Sequence, residues 1–467
     1  MVNKPFIYTL KTPLGYYFFD VNKNQIKEID EKTYRYLENA CGVVDSDVEK
    51  SLADLKSHGY LSDNRPSKMQ HPENEFLEFH LDENIAQLTL QVTQDCNFQC
   101  SYCYYAGGSF DNHRSHSSRR MTLEMAITCV DFFVEHSKSQ EEVSIGFYGG
   151  EPLLEFELIK NVVYYAEEMF EGKNLSFTIT TNGSVFNDEN INFLSKHNFN
   201  VMVSIDGTPE IHNKSRKFAD TGEGTYHVIE KNLKKIKLES PDFFEKIMFN
   251  VVIDPRNGYD ELHEMFSSNE LFTGANIRAG IMDDFYAIEK AVESDEYSIE
   301  SKMMEFKTKL SLLGRYPESK VYGILKTNLM QSIGRHERIL KESGNLPDVM
   351  SHGGPCIPGQ QRLLVTVSGN FIPCERVDET SSAMIVGDIY NGFDYEKARN
   401  LLNIAQLTEQ SCIDCWAIRN CTLCIRYCDN NGELSSELKK SHCKDTKFSI
   451  EEDFRDFLMF KELKYNS

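Results

Sequence analysis

No run of roughly 18 apolar residues interrupts this chain, so no membrane-spanning helix is expected. Residues 1–17 lack the apolar stretch and small-residue cleavage site of a signal peptide, so a cytoplasmic location is expected. Cations are scarce: 50 Lys and Arg stand against 72 Asp and Glu, for a net charge of −22. Such a surface repels nucleic-acid phosphates and anionic lipid, so neither nucleic acid nor membrane is an expected partner. It suits a basic peptide, although a merely solvated acidic surface is the plainer reading. Internal repeats and low-complexity tracts are absent. Aromatics are not scarce, at 11%, which excludes disorder of the whole chain. Length (467 residues) suggests about three domains and a core that needs no disulfides.

Cysteine is the excess, at thirteen. In a reducing compartment clustered thiols hold metal more often than disulfides. Cys41 and Cys129 stand alone. Cys96, Cys100 and Cys103 form one group. Cys356, Cys374, Cys412, Cys415, Cys421, Cys424, Cys428 and Cys443 form another.

Residues 5–62 read as three short strands (6–12, 15–21, 25–30) and two helical patterns (33–40, 46–61), with Asp45 or Ser46 as a cap for the second. This is a winged-helix outline, bounded at 1–65. Polar residues 62–75 mark a linker, set at 66–85. Residues 86–284 alternate six strands (86–93, 142–149, 176–181, 201–206, 247–253, 276–282) with helical patterns, implying an α/β fold with a parallel sheet closed into a partial (β/α)6 barrel. Chemistry in such folds sits at the C-terminal strand ends. Residues 285–350 read as a helical bridge, 351–447 as a Cys-rich domain with two strand-like segments, and 448–467 as a terminal amphipathic helix.

The first cysteine group follows a strand with the spacing C-x3-C-x2-C. Three thiolates can hold three irons of a [4Fe–4S] cube and leave the fourth open. Structural zinc prefers four protein ligands, and neither His113 nor His116 completes such a set locally. At these residues the chain resembles the radical S-adenosylmethionine (SAM) enzymes. The resemblance implies that the open iron binds the amine and carboxylate of SAM. An electron then cleaves SAM to methionine and a 5′-deoxyadenosyl radical, which takes a hydrogen atom from substrate. Gly149-Gly150-Glu151 matches the family's GGE motif at the SAM amine. Ser204 and Arg216 match a carboxylate-binding pair. Thr180 and Asn182 match ribose contacts, and Tyr102 the residue beside the adenine. A strand-end turn, a surface arginine and a core tyrosine are the rival readings.

The second group resembles the SPASM domain, which implies two auxiliary [4Fe–4S] clusters and thus three clusters in all. By position Cys412, Cys415, Cys421 and Cys443 match the outer cluster, and Cys356 and Cys374 the inner one. The family's next cysteine would fall at Ile425; here Cys424 and Cys428 flank it, and either or both are available. If only one serves, an iron stays open to a substrate thiolate. Glu375 follows Cys374, where sulfatase maturases carry a base; a solvent-exposed glutamate is the competing reading. Residues 5–62 resemble the leader-recognition element of peptide-modifying enzymes, with the leader pairing along Gln25–Asp30; a DNA-binding winged helix and a structural cap are the other readings.

Taken whole, the chain resembles the maturases of Cys-rich ribosomal peptides that form sactipeptide or ranthipeptide thioethers. The implied partners are a precursor peptide with a leader and an electron donor such as flavodoxin or ferredoxin. The rivals are a carbon–carbon or carbon–oxygen crosslinking enzyme, a formylglycine-forming sulfatase maturase, and a non-enzymatic Fe–S electron carrier or binding module.

Overall fold

The computed structural model describes residues 4–39, 45–105, 116–257, 259, 269–272, 274–341 and 343–463. Cys41 and His113 lie outside them. Strands β1 (Ile7–Lys11), β2 (Tyr16–Asp20) and β3 (Gln25–Ile29) form an antiparallel sheet in that order. Alternation gives this sheet two apolar faces. Tyr17 and Phe19 pack with Ile450, Phe454 and Leu458 of the C-terminal helix, while Phe18 packs with Leu55 and Leu61. Helix Ser46–Ser57, which covers the second face, is capped by the Asp45 side chain.

Residues 62–75, polar in sequence, and the mixed stretch 76–85 are built into the structure. Strand β4 (Lys68–Met69) pairs with a distant segment at 349–350, and helix Leu77–Glu83 buries Leu77 and Leu81 completely. A helix of seven residues spans too few turns for its apolar spacing to stand out in the sequence. The linker expected at 66–85 is therefore replaced by a packed connection.

The large sheet contains β5 (Gln87–Thr93), β6 (Glu142–Gly149), β7 (Asn174–Thr181), β8 (Phe199–Ser204), β9 (Met248–Ile253) and β10 (Asn276–Ile281), all parallel and neighbours in chain order. This is the expected α/β arrangement of six barrel strands. Their period of two separates function from packing. Leu88, Leu90 and Val92 of β5, Ile145 and Phe147 of β6 and Phe177 and Ile179 of β7 join one apolar core with the flanking helices. The alternate residues Thr89, Thr178, Thr180, Asn200 and Asn250 face the barrel interior.

On its other edge β5 pairs with a strand from the Cys-rich part of the chain. After β11 (Val349–Met350), strands β12 (Leu363–Val365), β13 (Asn370–Ile372), β14 (Gly387–Asp388) and β15 (Gly392–Phe393) extend the sheet to ten strands. The 351–447 segment thus shares the core of the preceding domain. Bridge helices span Asp295–Leu312 and Gly323–Ile339. The terminal helix, Cys443–Glu462, starts five residues before the expected boundary at 448, so Cys443 stands at its first turn. No helix among the described residues is long and apolar enough to cross a membrane.

Candidate functional site

The loop carrying Cys96, Cys100 and Cys103 leaves the C-terminal end of β5 and is held by backbone on both sides. Gly150 and Glu151 donate N–H bonds to Thr93 O (3.1 Å) and Asp95 O (2.9 Å). Opposite, Gln99 and Ser101 donate to Lys217 O and Ser215 O, both at 2.9 Å. Gly149 and Gly150 are dictated by this closeness: a Cβ on either would sit 2.0 Å from the carbonyl oxygen of Thr93 or Asp95. Gly149 also has φ +140°, which glycine tolerates.

All three thiols line one cavity of about 780 Å³ at the C-terminal strand ends, together with Gly149, Gly150, Glu151, Thr180, Ser204 and Arg216. Tyr102, Asn182 and Glu375 line it as well. The volume lies in the range of small-molecule sites. A sheet of sequential parallel strands makes this inevitable, since each strand delivers its following loop to the same end.

Several of these side chains already have partners. The Glu151 carboxylate is buried and accepts from Leu153 N (3.1 Å), Thr181 Oγ1 (2.7 Å) and Asn182 N (2.7 Å). Burial pushes it up to about 7 while the bonds from Asn182 and Thr181 pull it down. It therefore ties the ends of β6 and β7 together as well as facing the cavity. Asn182 is a brace: its amide donates to Asn97 Oδ1 (2.8 Å) and its oxygen accepts from Ser184 N (2.9 Å). Asn182 therefore braces the thiol loop while also lining the cavity.

Arg216 is buried, not a surface arginine. Its Nε donates to Asp206 Oδ2 at 2.8 Å, and its Nη1 lies 4.0 Å from Cys100 Sγ. The guanidinium sits over the Tyr102 ring, and the Tyr102 hydroxyl donates to the same Asp206 oxygen. Asp206 was not singled out in the sequence; its signal was an acidic residue two positions beyond the end of a strand. Burial pushes the Cys100 thiol up to about 12, with Arg216 pulling the other way. His116 reaches 4.0 Å from Cys103 Sγ, nearer than its separation in the chain suggests.

On the facing wall, Arg362 pairs with Glu375 through Oε1, and Glu375 Oε2 is buried with no hydrogen-bond partner among the described residues. Asp283, just past β10, receives two bonds from Arg426 at 2.6 and 2.7 Å. Arg426 lies between Cys424 and Cys428, so this pair joins the Cys-rich segment to the cavity rim. Sequence spacing gave no sign of it.

The remaining thiols fall into sets. Cys412 is within electrostatic reach of Cys415, Cys421 and Cys443. Cys374, Cys424 and Cys356 are within reach of one another. Cys428 reaches both Cys424 and Cys412, but is fully buried, with its thiol directed at Cys424 O (3.9 Å). Buried Lys439 bonds Ile404 O and Thr408 Oγ1, and Thr408 Oγ1 lies 3.3 Å from Cys412 Sγ. Among the described residues no three His, Cys, Asp or Glu side chains stand close enough to chelate a single ion; an iron–sulfur cube spreads its thiolates wider than one ion does. Three soft thiol donors facing an open cavity, with a buried arginine beside them, fit an iron–sulfur group with one position left for a ligand.

Residues 90–267 match the Radical SAM superfamily. The radical SAM cyclopropyl synthase TigE of Paramaledivibacter caminithermalis is 23% identical over 290 residues, 57% of this chain and 58% of that protein. The cysteine-type anaerobic sulfatase-maturating enzyme of Clostridium novyi is 28% identical over 155 residues, 32% of this chain and 40% of that protein. The chain therefore spans less than two thirds of either relative. The solved structure of anSMEcpe with bound AdoMet and Cp18Cys peptide shares the fold, with TM-score 0.54 and 18% identity, covering 79% of this chain and 99% of that one.

Proposed function

We propose that this chain, which carries a radical SAM superfamily domain and is a radical SAM enzyme related to the anaerobic sulfatase maturases, matures a Cys-rich ribosomal peptide by joining a Cys sulfur to a peptide carbon. When bound to Cys96, Cys100 and Cys103, a [4Fe–4S] cluster supplies the electron that splits SAM and generates the 5′-deoxyadenosyl radical. Ser204 and Arg216 receive the SAM carboxylate, a match of fork to carboxylate. Gly149, Gly150 and Glu151 shape the wall that meets its amine. Cys412, Cys415, Cys421 and Cys443 would hold an outer auxiliary cluster, and Cys356, Cys374 and Cys424 an inner one with a free position.

One observation carries the reading: the three thiols and Glu375, the residue after Cys374, line the same cavity. A peptide bound there lies between the site where hydrogen is removed and the site where a thiolate is received. Glu375 Oε2, unpartnered and buried, is the acceptor available for the thiol proton. The test is mass spectrometry of a Cys-rich precursor peptide co-expressed with this chain, after turnover. Loss of two hydrogens per crosslink together with loss of one alkylatable thiol is expected. The same loss with every thiol still free would instead give a carbon–carbon product, the outcome that the resemblance to a cyclopropyl synthase favours.

The N-terminal sheet is proposed as the leader-recognition element. The β1 side is engaged by the C-terminal helix, through Tyr8 to Glu451 (2.5 Å) and Thr12 to Glu462 (2.5 Å). The β3 edge pairs only with β2 among the described residues. An extended leader adds there as a fourth strand. Deleting residues 1–65 would strip the C-terminal helix of its packing, so the sharper test is proline at Lys27 and, separately, at Glu28. Adjacent residues of a strand point their N–H groups in opposite directions. The variant that loses the outward N–H should bind leader about tenfold more weakly without loss of thermal stability, since proline is tolerated on that side of an edge. Unchanged affinity in both variants removes this element from the reading.

A further inference from the structure

The Asp206–Arg216 pair lies deeper than SAM binding alone requires. A guanidinium that only met a ligand's carboxylate would have no need to touch a thiol. Here Arg216 Nη1 is 4.0 Å from Cys100 Sγ, and both Arg216 (7% exposed) and Asp206 (2% exposed) are buried. Asp206 is over-determined: Oδ2 receives Arg216 Nε and the Tyr102 hydroxyl, while Oδ1 receives Val252 N at 3.0 Å. Its own N–H donates to His212 Nδ1 at 3.2 Å, which leaves that imidazole an acceptor there. Burial holds His212 at about 3, so it brings no charge. Among the described residues, the charged groups that act through space on Cys100 are one cation, Arg216, and one carboxylate, Asp206, with Glu151 acting on Cys96. In a water-poor site such charges are weakly screened. Iron–sulfur potentials respond to net charge and to hydrogen bonds at sulfur.

We propose that the buried Asp206–Arg216 pair sets the reduction potential of the group held by Cys96, Cys100 and Cys103, with Asp206 as a positioning residue that aims Arg216 at Cys100 and partly neutralises it. This rests on the radical SAM reading above. Reduction adds one electron, supplied in the test by dithionite, and neither makes nor breaks a bond. Arg216 favours the added negative charge; Asp206 opposes it. Removing either charge must therefore shift the couple in opposite directions, which mere loosening of the fold does not do.

The measurement is a potentiometric titration of the reconstituted full chain without SAM, followed by electron paramagnetic resonance. The signal of a Cys96, Cys100 and Cys103 triple alanine variant is subtracted. Asp206→Asn, which keeps the shape of the side chain, should raise the reduced-to-oxidised ratio at a fixed potential about tenfold, equal to about 59 mV for a one-electron couple. Arg216→Gln should lower it about tenfold, and Asp206→Glu should stay near the parent value. Should Asp206→Asn fail to retain its iron, the sign of the Arg216→Gln shift decides alone. No shift in Arg216→Gln, or shifts of the same sign in both variants, overturns the proposal. A triple variant with the parent's full signal would instead overturn the radical SAM reading itself.

Discussion

Replacing Cys96, Cys100 and Cys103 together by alanine is expected to abolish 5′-deoxyadenosine production from SAM, with or without peptide. These are the thiols of the loop that leaves β5 into the cavity. Alanine cannot bind iron, and nothing else in that loop offers a soft donor. The fold should survive, because the loop is held by backbone bonds from Gly150, Glu151, Gln99 and Ser101 that do not involve sulfur. Circular dichroism and the melting temperature should remain close to those of the parent. Cys129→Ala is the matched control. That thiol is buried in the apolar core beneath the sheet, apart from both groups, and its loss should cost some stability but no SAM cleavage. Undiminished deoxyadenosine from the triple variant would place SAM cleavage away from this loop and overturn the reading of these thiols, whereas a reduced parent that makes none would leave an iron–sulfur carrier.

Iron content gives the second large effect. Anaerobic reconstitution should load about twelve irons per chain, four for each of three clusters. Alanine at Cys412, Cys415, Cys421 and Cys443 should reduce this to about eight, as should alanine at Cys356, Cys374 and Cys424. Cys428→Ala should leave the count unchanged, since its thiol is fully buried and turned toward Cys424 O. The outer set should also cost more stability. Cys443 opens the C-terminal helix, and that helix carries the packing of the N-terminal sheet through Phe454 and Leu458. Binding energy at such a site becomes folding energy. A parent value near four irons would discard both auxiliary sites.

Elements whose signal is local were legible in the residues. The strand at 142–149 was located to the residue, because a period of two over eight positions ends at two glycines. The strand expected at 201–206 was displaced by two, to Phe199–Ser204, since its first turn of alternation includes the polar Asn200. The segment before β5 reads as linker because residues 62–75 are polar, and the apolar Phe76, Leu77, Phe79, Leu81 and Ile85 that follow span too few turns to declare a helix. The first hairpin of the Cys-rich segment was visible as strands, but not as an extension of the barrel sheet, which depends on Leu363 meeting Leu88 far away in the chain.

By itself the sequence determined the donor chemistry. Spacing within one loop groups Cys96, Cys100 and Cys103, and that loop and Gly149-Gly150-Glu151 each follow a strand end. Only the tertiary structure decided what those donors face. Closure of six parallel strands brought Arg216 to Cys100, locked it to Asp206 and Tyr102, and turned Glu375 toward the same cavity. Asp206 and Arg216 stand only 10 positions apart, but their contacts with Tyr102 and Cys100 cross 104 and 116 positions, so they follow from how the sheet curves, and no local pattern encodes them.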